Sequence, residues 1–125
     1  MARSRNALLQ AILLFKALDP RVSVNELIAF LYVCENEGLT VQEMAEVAHL
    51  TQSTASRSLR ALGPAGSDWS QAPALGLVEA FLNPHDGRSH VIHLTAEGRA
   101  LRDRLDTVIR QATPIVQEEP LQAAE

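Results

Sequence analysis

The chain has a single cysteine, Cys34, among its 125 residues. That excludes an internal disulfide framework and fits a reducing compartment. Aromatic residues make up 4% of the chain, so a core must be assembled from aliphatic side chains. With six glycines and six prolines, collagen-like and low-complexity architectures are ruled out. Positive charge is also short: 11 Lys and Arg stand against 15 Asp and Glu, for a net charge of −4. Overall charge therefore predicts no affinity for nucleic acid, and any such affinity must come from local charge. Long apolar runs are missing as well. The longest, Leu27 to Cys34, is too short to span a bilayer, and Ala11 to Phe15 near the start is too short to form a signal peptide. No P-loop, G-x-G-x-x-G, G-x-S-x-G or zinc-protease pair is present, and no acid–base pair stands out, so an enzyme is not expected. What remains is one soluble, cytoplasmic domain without a membrane partner, 46% hydrophobic and too apolar to be disordered.

Five helical patterns can be read along the chain. The first covers Arg3 to Leu18 and is apolar almost all the way round, so it needs cover on more than one side, some of it from a partner chain. Asp19-Pro20 ends it. The second opens on the capping box Ser23/Glu26, with Leu27, Leu31 and Cys34 as its inner stripe and Val24 and Ile28 beside it. Gly38 is a suitable stop. The third opens on Thr40/Glu43 and buries Val41, Met44, Ala45 and Ala48. After the connector His49-Leu50, Thr51 caps a fourth helix, about 52–62, with Ala55, Leu59 and Leu62 inside. Two capped helices across a short turn read as a helix-turn-helix. Residues 63–76, which hold the sole tryptophan, Trp69, break every period and read as a loop. Leu77–Leu82 and His90–Leu94 read as a hairpin with a wide tip at 83–89. Thr95 caps a last helix, about Ala96 to Ala112, with Leu101, Leu105 and Val108 as its stripe. Pro114 and Pro120 bracket a further turn or a frayed tail. The expected fold class is mainly α with a small β-hairpin.

The fourth helix carries the most informative pattern. Ser53, Ser56, Arg57 and Arg60 stand at i, i+3, i+4 and i+7, opposite the buried edge, and Gln52 lies at the helix start. Between Val47 and Ser67 there are two arginines and no acidic residue. Short polar side chains let a helix backbone approach a major groove, and Arg can chelate guanine O6 and N7. A merely solvated face would have the same composition. The preceding capped helix, the tight connector and the hairpin favour double-stranded DNA. On the hairpin tip, Arg88 is placed to enter a minor groove, next to Gly87 and Asp86. Asp86 would repel DNA if unpaired, so it is expected to brace the tip. Cys34, in register with Leu27 and Leu31, reads as a buried, inert thiol. His90 and His93 lie three apart on a strand and point to opposite faces, so no metal site is expected, nor any cofactor.

Two blocks, LTVQEMAEVAHLTQSTASRSLRAL at 39–62 and GLVEAFLNPHDGRSHVIHLTAEGRAL at 76–101, resemble the MarR family of winged helix-turn-helix transcriptional regulators. Asp86-Gly87-Arg88-Ser89 matches the family's D-x-R-S wing motif, and Thr95 to Arg99 matches T-x-E-G-R at the start of the following helix. The resemblance implies a homodimer on pseudo-palindromic DNA, with half-sites about ten base pairs apart. It assigns DNA contacts to Ser53, Ser56, Arg57, Arg60 and Arg88, and wing-bracing to Asp86. Three departures stand out. The loop between Leu62 and Gly76 is long, as in small phage- or plasmid-associated members. The C-terminal part is short, and nothing identifies an effector pocket. Dimerisation would then lean on the first helix, through Leu8, Ile12 and Phe15, and on Leu101, Leu105 and Val108. The chain divides accordingly into a dimerisation helix in 1–22, a winged helix-turn-helix in 23–94 with the insertion 63–76, and a C-terminal helix and tail in 95–125. Two rival expectations remain: a winged-helix module that binds protein, and a DNA-binding accessory factor of a mobile element.

Overall fold

A computed structural model describes residues 5–117. The expected helix start at Arg3 and the turn signal at Pro120 lie outside the described residues. The elements run α1 (Ala7–Leu18), α2 (Val24–Glu35), β1 (Leu39–Thr40), α3 (Val41–Ala48), α4 (Gln52–Ala61), β2 (Val78–Asn83), β3 (Asp86–Leu94) and α5 (Ala96–Gln111). The three strands form one antiparallel sheet in the order β1-β3-β2.

Local capping sets most of the boundaries. Ser23 and Thr40 both form full capping boxes, with Glu26 and Glu43 respectively. The Thr51 hydroxyl accepts the Thr54 N–H at 3.2 Å and starts α4. Asn6 is the N-cap of α1. Its side chain accepts the Leu9 N–H at 2.8 Å, so α1 begins at Ala7 and Arg5 stays outside the helix. The His49 connector adopts the left-handed conformation with φ 55°, which turns the chain sharply between α3 and α4.

Phe30, Met44, Leu59, Leu62, Leu77, Ile92 and Leu94 form the fully buried centre, joined by Phe15, Leu101 and Leu105. The Phe15 and Phe30 rings meet edge to face at 5.6 Å. This packing corrects two expectations. On α2 the inner face is Ala29, Phe30 and Val33, while Leu27, Ile28 and Cys34 are half-buried and Leu31 and Val24 are exposed. That helix is apolar nearly all round, so its period does not choose a face; packing of Phe30 against Phe15 does. Phe15, Leu101 and Leu105, expected at a dimer surface, are buried in the chain's own core, because α1 packs along α5. Val108 is half-buried, and Leu8 and Ile12 remain exposed.

The hairpin also differs from the expected wide tip. Pro84 and His85 alone separate β2 from β3. Leu82 pairs with His90 but Asn83 pairs with Asp86, so Gly87, Arg88 and Ser89 fall in a register break. Polar side chains hold this break. Asn83 donates to the Ser89 hydroxyl at 3.0 Å and accepts the His85 N–H at 3.1 Å. The two-residue β1 has no periodicity to read, and it exists because Leu39 and Thr40 pair with Ile92 and Val91.

Residues 63–76 contain no helix or strand, yet they are anchored. The last turn of α4 leaves carbonyls without helical partners. The loop and the residue after it supply them: Gln71 N–H donates to the Arg60 carbonyl, Leu75 N–H to Ala61, and Leu77 N–H to Leu62, at 2.8–3.0 Å.

Candidate functional site

A cleft of about 400 Å³ opens between α4 and the hairpin. Gln52, Ser56 and Arg60 line it from α4, and Thr40, Val41 and Gln42 from the start of α3. The hairpin contributes Asn83, Asp86, Arg88, Ser89 and His90, and the loop contributes Trp69. The helix-turn-helix packing brings the α3 start to this place, and Trp69 arrives through the folding back of the loop. Neither follows from a motif. The side chains around Asn83 were readable only as turn formers.

The polar face of α4 is divided. With about 100° between successive residues, Ser56 and Arg60 lean to one flank while Ser53 and Arg57 lean to the other. Arg60 therefore faces the wing. Arg57 lines a separate hollow with Ser23, Asn25 and Glu26 of the α2 start and with Gln71. Ser53 is exposed and lines neither hollow. The structure thus brings Gln52, Ser56, Arg60 and Arg88 together, and sets Arg57 apart.

Charge is distributed in the same sense. Arg21, Arg99, Arg102 and Arg110 are paired with Asp19, Glu37, Asp103 and Asp106. Among the described residues, Arg57 and Arg60 meet no carboxylate at ion-pair distance. Arg88 is 96% exposed and only 3.7 Å from the Asp86 carboxylate. Asp86 also accepts the Arg88 backbone N–H at 3.0 Å, which closes the turn around Gly87. Among the described residues Lys16 and Arg104 are also without a carboxylate partner, so what marks the α4 face is that Arg57 and Arg60 stand there free of ion pairs while Arg88 at the wing tip is only loosely paired. The first turn of α4 carries no acidic residue, so its N-terminal dipole is open to an anion.

The T-A-E-G-R segment is structural. Thr95 Oγ1 donates to the Gly76 carbonyl at 2.6 Å and accepts the Gly98 N–H at 3.0 Å. A Cβ on Gly98 would collide with the Leu77 carbonyl oxygen. Arg99 reaches the Glu37 carboxylate. The two histidines have different neighbours: His90 lies beside Trp69, and His93 beside Phe81 and 3.7 Å from Glu37. Cys34 is half-buried at the edge of the core, and burial pushes its thiol up to about 11, so it stays protonated at neutral pH.

Among the described residues, no helix is long and apolar enough to cross a membrane. No protein-family model matches the chain, and no curated protein is significantly similar in sequence. Solved structures do match. A transcriptional regulator of the MarR family from Silicibacter pomeroyi is 30% identical, with a TM-score of 0.55 over 78% of this chain and 57% of that one. The crystal structure of MarR is 19% identical, with a TM-score of 0.56 over 72% of this chain and 58% of that one. The chain therefore spans less than two thirds of the length of either. The MepR–DNA complex of S. aureus is 20% identical, with a TM-score of 0.65 over 83% of this chain and 77% of that one. Among the described residues, five helices and a three-stranded sheet, together with these neighbours, give the chain a MarR-like winged helix-turn-helix fold.

Proposed function

We propose that this chain is a sequence-specific, double-stranded DNA-binding regulator of transcription that acts as a homodimer on a pseudo-palindromic site. In this reading α4 enters the major groove and the wing tip approaches the minor groove. The observation that carries it is the α4–wing cleft: Gln52, Ser56, Arg60 and Arg88 converge there, with the cations free of tight ion pairs, on a chain of net charge −4. Arg60 and Arg57 would serve phosphates or guanine edges, Gln52, Ser53 and Ser56 the bases, and Arg88 the minor groove. The fold it shares with MepR, which was solved with DNA, supports the same reading.

The homodimer rests on apolar surface left uncovered. Leu8 (59% exposed), Leu9 and Ile12 on α1, and Ile109 on α5 (63% exposed), face outward. Large apolar side chains left exposed on one helix, as Leu8, Leu9 and Ile12 are on α1, mark a docking face. The partner we assign is a second copy, because α1 is apolar nearly all round and this chain buries only Phe15 of it fully.

Fluorescence anisotropy tests the DNA reading. The probe is a labelled duplex from upstream of the chain's own gene, with a scrambled duplex as control, at two salt concentrations. Selective binding that weakens with salt and is lost in Arg60→Ala/Arg88→Ala supports it. Equal binding of wild type and double variant, or no binding at low salt, overturns it and moves the assignment to a protein-binding winged helix.

A further inference from the structure

The loop 63–76 lies directly on the end of α4. Gln71 joins it there twice, by its N–H to the Arg60 carbonyl at 3.0 Å and by its Nε2 to the Arg57 carbonyl at 3.2 Å. The fit is close: a Cβ on Gly63 would collide with Ser70 Oγ and sit 3.0 Å from Trp69 Cζ3. Trp69 is half-buried, packs against the core, and reaches across to the wing, where its ring lies 6.5 Å from that of His90. His90 has a particular place in β3. It pairs with Leu82 as the last regular pair before the register breaks, and Arg88 stands inside that break. Further along the partner strand, Phe81 is 48% exposed and Leu82 66% exposed, so β2 gives the tip little packing.

We propose that Trp69 is a positioning residue for DNA binding: it props the root of the wing against the end of α4 and so sets where Arg88 stands relative to Arg60. The proposal rests on the DNA-binding reading above. Arg88 sits on a register break whose local shape is held by the Asn83, Asp86 and Ser89 hydrogen bonds, but these lie within the tip and do not fix where the tip stands relative to α4. Trp69 meets the strand at the residue where the break begins, and its other edge is fixed by a loop bonded to the helix that carries Arg60. An indole suits the task, since a large rigid ring fills the gap at small entropic cost. With the wing held before binding, the duplex need not order it, and that saving appears as affinity. The insertion is thereby assigned a role in presenting the wing.

The test uses the same upstream duplex with wild type, Trp69→Ala, Trp69→Phe, Arg88→Ala and Trp69→Ala/Arg88→Ala, each first checked for a cooperative melt. The expected result is that Trp69→Ala weakens binding about tenfold, as for residues coupled in one network. The slope of log affinity against log salt falls by about one, as if the Arg88 contact were lost. Trp69→Phe restores most of the affinity, and the double variant binds no more weakly than Arg88→Ala. Should Trp69→Ala fail to fold, Trp69→Leu takes its place, keeping apolar cover without the flat ring. The proposal is overturned if the Trp69 variants bind like wild type. It is equally overturned if their losses add to that of Arg88→Ala with the salt slope intact, because Trp69 would then only cover the core. If the wild-type chain binds no duplex at low salt, the DNA reading fails first and the role of Trp69 falls with it.

Discussion

The Arg99 guanidinium reaches the Glu37 carboxylate at 3.2 Å across 62 positions of sequence. The same Glu37 oxygen accepts the Leu94 N–H at 2.8 Å. One side chain in the turn after α2 therefore ties the end of β3 to the first turn of α5. The inner end of the hairpin and the helix that follows it are joined at this point. Glu37→Ala would leave the Leu94 N–H without that partner, and its expected cost is about 1–2 kcal/mol, most of it from the lost hydrogen bond to a half-shielded amide. Glu37→Gln keeps the acceptor and loses only a partly exposed ion pair, at about 0.5 kcal/mol. Urea denaturation of the three proteins separates these values; equal midpoints for all three would show that the junction contributes nothing.

Gly98 is expected to be irreplaceable on steric grounds. Alanine would gain about 1 kcal/mol of helix propensity. Its methyl group would strike the Leu77 carbonyl, whose oxygen accepts the Thr95 N–H, so α5 must shift. The net expectation for Gly98→Ala is a loss of about 2 kcal/mol and about 10 °C in melting temperature. A melt at or above the wild-type temperature contradicts this packing.

Cys34 should react slowly with thiol reagents at neutral pH. Its thiol is raised from 9.0 to about 11 by burial, so the fold favours the neutral form. The sign follows from linkage: Cys34 leaves stability unchanged below pH 9.0 and erodes it as pH rises from there through about 11. Iodoacetamide labelling should accelerate over that alkaline range, and Cys34→Ser should remove this part of the alkaline loss. Rapid labelling at pH 7 would instead indicate a reactive thiol.

The outward apolar face of α1 provides a test of assembly. Leu8→Glu/Ile12→Glu adds charge at exposed positions and leaves Phe15, the buried anchor of the helix, in place. Sedimentation should show a dimer for wild type and a monomer for the variant, with little change in helical content. The opposite substitution, Leu105→Glu, places a charge in the core and should unfold the chain.

The division of the α4 face predicts a division of effects. Arg60→Ala and Arg88→Ala remove neighbours in one cleft and should show coupled losses of duplex affinity. Arg57 lies in the hollow beside α2, so Arg57→Ala should add to either one independently. Double-mutant cycles by anisotropy distinguish the two patterns.

The sequence by itself determined the helices and where most of them start. Ser23, Thr40, Thr51 and Thr95 each cap a helix with their own side chain, a contact within three residues that needs no tertiary help. Asp86 and Gly87 shape the turn around Arg88 for the same local reason. Tertiary structure decided what lies between elements. It chose the Phe30 face of an evenly apolar α2, took Phe15, Leu101 and Leu105 into the core, and created β1 by pairing Leu39 with Ile92. It also parted Arg57 from Arg60 and carried Trp69 to the wing. These outcomes depend on residues far apart in sequence. No helical or strand period encodes which of two apolar faces packs better, or where a loop returns to cap a helix with its own N–H groups.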